Sequence, residues 1–325
     1  MIADDLKAWG EVLAAMRKDS ALLERAAAQN EWFTTESIQL ALSAMLPWFE
    51  GDHLSELRSQ YPNVAFPRRV GLILAGNLPM VGLHDVLMVL HSGHHAVVKA
   101  SHKDAVLLRH LLDHSSPDIQ ARITWVEQIL PQDIDFLIAT GSNVTANQIE
   151  VAFRRVPHLI RKSRYSVAVL DGNESENDWI GLTEDIFCYH GMGCRSVASV
   201  LIPVGFDVQP FLAAMERHLP HPLVSAWEDV VRYERAKLSM ANVPILDCAK
   251  ILAIRSEDLR PAGIGVLKFV AYRNDSERIQ LLEQANSEIQ CVVGSKWIPF
   301  GQAQHPHLHD FADGVDTLQL LTSLS

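Results

Sequence analysis

The sequence has only four cysteines, no run of eighteen consecutive apolar residues and no glycine signature of the GxGxxG or Walker type, and each shortage excludes a class of protein. Cys188, Cys194, Cys248 and Cys291 are too few for a disulfide framework in 325 residues without a secretory leader, so all four are expected to be reduced thiols. Charges are scattered through the first thirty residues, which leaves no signal peptide and no membrane span; the expectation is a soluble, cytoplasmic chain. Basic residues number 28 against 39 acidic ones, and the resulting net charge of −11 argues against nucleic acid or an anionic membrane as a partner. One local exception is the strip Arg161, Lys162 and Arg164, sized for the phosphate of a small molecule. The histidine clusters "HSGHH" (91–95) and "HPHLH" (305–309) lack the cysteine or carboxylate spacing of a recognised metal site, so no metal is expected.

What is present is an alternation of short apolar runs and helical patterns. Residues 1–64 read as helices, with Leu6, Trp9, Val12, Leu13 and Met16 at helical spacing. From residue 65 the runs "VGLILAG" (70–76), "HAVVKAS" (95–101), "DFLIATGS" (135–142) and "YSVAVLD" (165–171) alternate with helical stretches, the pattern of a mostly parallel sheet covered on both faces. The spacing predicts a first α/β unit over 65–190 and a second over 191–304, whose runs include "SVASVLIPV", "VPILDC", "KILAIRS", "GVLKFVAYR" and "IQCVVG". Residues 305–325 either return to the first unit or add an edge segment.

Four stretches lie where a strand stops and a loop begins, the end at which open α/β sheets bind ligands. In "GNLPMV", Asn77 either donates an amide N–H to an oxyanion or forms a turn. Lys99 ends "VVKAS" and is either solvated or in reach of ribose or phosphate. "ATGSNVTA" places Thr140, Gly141 and Ser142 at a helix start, where unpaired N–H groups favour an anion. In "CYHGMGCRSV", Cys194 follows Gly191 and Gly193 between a helix and a strand, at the expected junction of the two units, whereas Cys188 falls within the helical pattern and reads as core. His190, four residues before Cys194, has no secure geometry across the glycines.

In this order these motifs resemble the aldehyde dehydrogenase superfamily, and "NLPMVGLHDVL", "IRKSRYSVAVLDG" and "GMGCRSVASVLIP" resemble its acyl-CoA reductase branch. The resemblance covers roughly residues 65–320. It implies an α/β, aldehyde-dehydrogenase-like fold: a Rossmann-type cofactor domain at 65–190, a catalytic α/β domain at 191–304, and N-terminal helices. It further implies Cys194 as the catalytic thiol, Asn77 as the oxyanion-hole amide, Lys99 as the adenosine-ribose contact, Gly141 with Ser142 as the pyrophosphate loop, and Ser101 and Thr140 as further cofactor-binding residues. A homo-oligomer built through an edge strand is likewise implied.

Two departures sharpen the expectation. No glutamate occurs between Glu150 and Glu174, where oxidising members carry the base that activates water; Ile160 takes the matching position. Without that base an acyl-cysteine exchanges with a thiol rather than becoming a free acid, which points to reduction of an acyl-CoA, or another acyl-carrier thioester, to an aldehyde. After Lys99 the sequence has His102 and Lys103 where NAD-selective members place a Glu, which favours NADPH, with NADH as the alternative. Competing expectations are a thiol acyltransferase without redox chemistry and a catalytically inactive subunit.

Overall fold

The computed structural model describes residues 2–219, 223–248 and 250–324. The side chain of Cys248 falls outside the described residues, and with it the expectation of a reduced thiol there. The chain divides into two compact units, one of residues up to Ser163 together with those from Pro306, the other Arg164–His305.

In the first unit, five parallel strands lie in the order β3-β2-β1-β4-β5: β1 Arg69–Ile73, β2 His95–Lys99, β3 Ile123–Trp125, β4 Phe136–Thr140 and β5 His158–Arg161. β1, β2 and β4 are buried through their centres, which is why they read as unbroken apolar runs. The N-terminal helices are not a separate body. Leu6, Trp9, Leu13 and Met16 share one core with Val86, Leu90, Leu107 and Leu111 of the helices flanking the sheet. Trp9 donates its indole N–H to the Ser115 hydroxyl at 2.8 Å, and Thr34 with Ser37 forms a capping box that starts the helix Thr35–Met45.

The last segment returns to this unit as the helix Thr317–Thr322, with Leu318 and Leu321 in the same core. Trp48 Nε1 donates to the Pro306 carbonyl at 2.8 Å, and the Tyr61 hydroxyl to Asp316 at 2.7 Å.

The second unit holds β6 Tyr165–Val169, β7 Val197–Pro203, β8 Leu246–Cys248, β9 Ile251–Ser256, β10 Val266–Tyr272 and β11 Ile289–Gly294 in the order β11-β6-β7-β10-β9-β8, all parallel except β8 against β9. Here the structure departs from the sequence expectation. "YSVAVLD", expected to close the first sheet, lies between β11 and β7 in the second, and the boundary expected at 190/191 falls between Ser163 and Arg164. The physical reason is burial: β6 is buried at all five positions and sits inside a sheet, while the first sheet ends on the half-buried four-residue β5, whose His and Arg ends mask its strand pattern.

The "HSGHH" cluster is spent on packing. His91 Nε2 donates to the Leu54 carbonyl at 2.9 Å; His94 donates to the Leu321 carbonyl and accepts the Arg68 backbone N–H, each at 2.9 Å. Burial pushes His91 down from 6.5 to about 4, opposed by its bond to Leu54. Because the folded-state value is depressed, the unfolded chain takes up a proton that the folded chain refuses between those values. The stabilisation is therefore complete above 6.5 and lost as pH falls toward 4. In denaturant unfolding, the native protein is expected to lose about 2 kcal/mol more between pH 7 and pH 5 than His91→Gln, at 1.36 kcal/mol per unit. Equal losses would contradict this.

Candidate active site

In the first sheet the chain runs from β1 outward to β2 and β3, then crosses back to β4 and β5, so the carboxyl ends of β1 and β4 mark the point where strand order reverses. Open parallel sheets bind ligands in the crevice at that point. The loop after β1 carries Asn77, exposed; β4 ends on Thr140 and passes into Gly141 and Ser142. β2, beside β1, ends on the half-buried Lys99, with Ser101 two residues on. The six candidate cofactor and oxyanion residues of the first unit thus lie at or just beyond the carboxyl ends of β1, β2 and β4.

Local chemistry explains the placement of Ser142, Gly141 and Ser101. Ser142 caps the helix Asn143–Ala152, its hydroxyl accepting the Thr145 N–H at 3.3 Å. A Cβ on Gly141 would lie 3.2 Å from the Thr145 side chain, so glycine keeps the backbone bare at this turn. Ser101 accepts the Lys103 N–H at 3.3 Å and starts a short 3-10 turn. A cation, three hydroxyls and the first N–H groups of a helix, set at a strand-order reversal, fit the ribose and phosphates of a dinucleotide.

The basic strip does not form. Arg161 is buried in an ion pair with Asp85 and donates to Thr317 Oγ1 at 2.9 Å. Lys162 faces Glu150 at 3.9 Å, and Arg164, in the second unit, donates to the Ile289 carbonyl at 3.1 Å. β5 ends with Arg161 buried, and Lys162, the next residue, is exposed. Ile160 is half-buried against the cluster of Val97, Leu137 and Ala139, and β5 carries no carboxylate. Among the described residues no group of three or more His, Cys, Asp or Glu is placed to hold a metal ion, and no helix is long and apolar enough to cross a membrane.

In the second unit the two thiols of the "CYHGMGC" stretch part company. Cys188 ends the helix Glu176–Phe187 and is buried, and burial pushes its thiol well up. Cys194 is exposed three residues before β7. It lies well inside the second unit in sequence, not at the chain's crossing between units. Between them Tyr189, His190 and Gly191 all have left-handed backbone, at φ 53°, 56° and 65°. For Tyr189 and His190 that conformation costs roughly 1–2 kcal/mol each, strain of the kind that surrounding packing has to hold in place. His190 is turned into the core, its ring 6.2 Å from that of Trp227 and its Nε2 accepting the Val224 N–H at 3.4 Å.

Several supports of Cys194 carry no local sequence signal. The Ser166 hydroxyl donates to the Cys194 carbonyl at 3.0 Å and also meets Cys291 Sγ at 3.0 Å. Gly193 donates its N–H to Ser196 Oγ at 3.2 Å, and Arg195 reaches the Ala303 carbonyl at 3.3 Å. Asp185 accepts the N–H groups of Gly301 and Ala303 at 2.7 and 3.0 Å; burial raises its carboxyl to about 7 against the pull of those bonds.

A family model described as acyl-CoA reductase (LuxC) matches residues 10–223, about two thirds of the chain. The chain belongs to the acyl-CoA reductase (LuxC) family. Its fold is that of the aldehyde dehydrogenases. An NAD-dependent benzaldehyde dehydrogenase from Corynebacterium glutamicum superposes with a TM-score of 0.68 at 12% identity, covering 90% of this chain and 76% of that one. A Mycobacterium tuberculosis aldehyde dehydrogenase complexed with NAD+ gives 0.61 at 15% identity over 86% and 70% of the two chains. A mutant aldehyde dehydrogenase C from Pseudomonas syringae, complexed with NAD+ and octanal, gives 0.64 at 13% over 90% and 71%. At such identities the likeness shows the fold. No curated protein matches the sequence.

Proposed function

We propose that the protein reduces an acyl thioester, an acyl-CoA or acyl-carrier conjugate, to an aldehyde through an acyl-enzyme on Cys194. The observation that carries this reading is an exposed cysteine before β7 in an acyl-CoA reductase family chain whose β5 offers Ile160 and no carboxylate to activate water. Cys194, as thiolate, attacks the thioester carbonyl; the C–S bond to the carrier breaks and the carrier thiol leaves with a proton. The Asn77 amide and the Cys194 backbone N–H stabilise the tetrahedral oxyanion. Lys99 and Ser101 hold the cofactor's ribose, and Thr140, Gly141 and Ser142 its pyrophosphate. The bound nicotinamide supplies the hydride for the acyl carbon. Sulfur suits both halves, being nucleophilic at neutral pH and a competent leaving group when the aldehyde departs.

Exposed His102 and Lys103 after β2 favour NADPH over NADH, since neither repels a 2′-phosphate. Asn77→Ala is expected to lower kcat by about 10²- to 10³-fold, the effect of deleting one oxyanion donor. Unchanged kcat would remove Asn77 from the reaction.

The reading is tested by following NADPH oxidation with acyl-CoA substrates. Acyl-CoA-dependent turnover supports it. A strong CoA-independent conversion of aldehyde to acid overturns it, because that outcome requires a base that β5 does not carry. Failure to bind either dinucleotide favours an acyltransferase instead.

A further inference from the structure

Asp104 is a buried carboxyl group with no ion pair among the described residues. It stands at the start of the helix Ala105–Asp113, where an aspartate ordinarily caps, yet its side chain makes no bond to that helix. Its carboxylate instead accepts the backbone N–H groups of Met80 and Val81, in the loop between β1 and the helix Leu83–Ser92. Oδ1 has no hydrogen-bond partner among the described residues. Burial raises the carboxyl to about 8 against the pull of the two N–H groups, and no charged side chain contributes. A group so costly to bury calls for a compensating role.

The loop it grips needs holding. Met80 is left-handed at φ 58°, a conformation unfavourable for any residue with a Cβ. On the other side of Asn77, the Asn30 amide donates to the Gly76 carbonyl at 3.1 Å, and the Ser101 side chain packs so close to Gly76 that no Cβ fits there. Asn77 therefore sits exposed on a loop pinned on both flanks, by Gly76 and by Met80 with Val81. Both Ser101 and Asp104 come from the segment that follows Lys99.

We infer that Asp104 is a positioning residue for the reaction: it holds the Asn77 loop in the shape that delivers the amide to the oxyanion, and ties that loop to the segment that receives the cofactor's ribose. This rests on the function proposed above. The inference predicts a selective defect. Acylation of Cys194 needs an oxyanion donor; alkylation by iodoacetamide, a displacement at a methylene carbon, does not.

The test measures both rates on the full chain by mass spectrometry. Asp104→Ala is expected to acylate roughly 10²-fold more slowly with acyl-CoA, the scale of a displacement of about 1 Å in a catalytic group, while alkylating at the native rate. Asp104→Asn, which can turn its one acceptor oxygen onto the same two N–H groups, is expected to restore most of the acylation. In an Asn77→Ala background Asp104→Ala is expected to add little, because the two substitutions remove one function. Asp104→Leu fills the side-chain volume without an acceptor and carries the same test if the alanine variant does not fold. Native acylation in Asp104→Ala or Asp104→Leu, an equal fall in alkylation, or a fully additive loss with Asn77→Ala overturns the assignment. A native protein that is not acylated by any acyl-CoA overturns the proposed function itself, a separate and earlier result.

Discussion

Replacing Cys194 by alanine is expected to lower acyl-CoA-dependent NADPH oxidation by a factor on the order of 10⁴ to 10⁶, the range found when a covalent nucleophile is deleted. No other described cysteine stands ready to replace it. Cys188 is 3% exposed and its thiol is pushed far up by burial; Cys291 is half-buried on β11 against Ser166. Methyl for thiol at an exposed position leaves folding almost unchanged, so dinucleotide binding by the variant should equal that of the native protein. A variant that turns over within tenfold of native would remove Cys194 from the chemistry.

Replacing Arg161 by methionine is expected to destabilise the first unit by about 3–5 kcal/mol, because it leaves the Asp85 carboxylate buried without its counter-charge. Arg161 and Asp85 are 4% and 5% exposed, so water cannot take over the lost partner. The same substitution cuts the bond from Arg161 Nη2 to Thr317 at the start of the last helix, loosening the returning segment as well. Denaturant midpoints measure this, and the double replacement Arg161→Met with Asp85→Leu should recover much of the loss, since a buried ion pair is often no better than an apolar pair of its size. A loss below about 1 kcal/mol for the single variant would show that the pair is hydrated.

How far these sites were legible in the sequence depends on the range of the interaction. β1, β2 and β4 are buried runs ended by Asn77, Lys99 and Gly141, and a local apolar pattern suffices to place those residues at strand ends. Cys194 stood out through the two glycines before it, of which Gly191 completes the left-handed turn. The sheet to which β6 belongs was not legible, because an apolar run does not say which neighbours it will have. β5 was missed for the opposite reason, its four residues being too short and too polar-ended to show a period.

Asp104 illustrates the limit at the site. In sequence nothing marks this aspartate off from others; only the fold brings Met80 and Val81 over it. Tyr189 and His190 hide in the same way, since their side chains give no hint of positive φ. The strain is set by what packs around them, not by the residues themselves.

The most direct test of the account is mass spectrometry of the protein after incubation with a series of acyl-CoAs in the absence of any nicotinamide. The account predicts an added mass equal to the acyl group, mapped to the peptide bearing Cys194 and missing from Cys194→Ala. An adduct on a different residue, or none with any chain length, would contradict it.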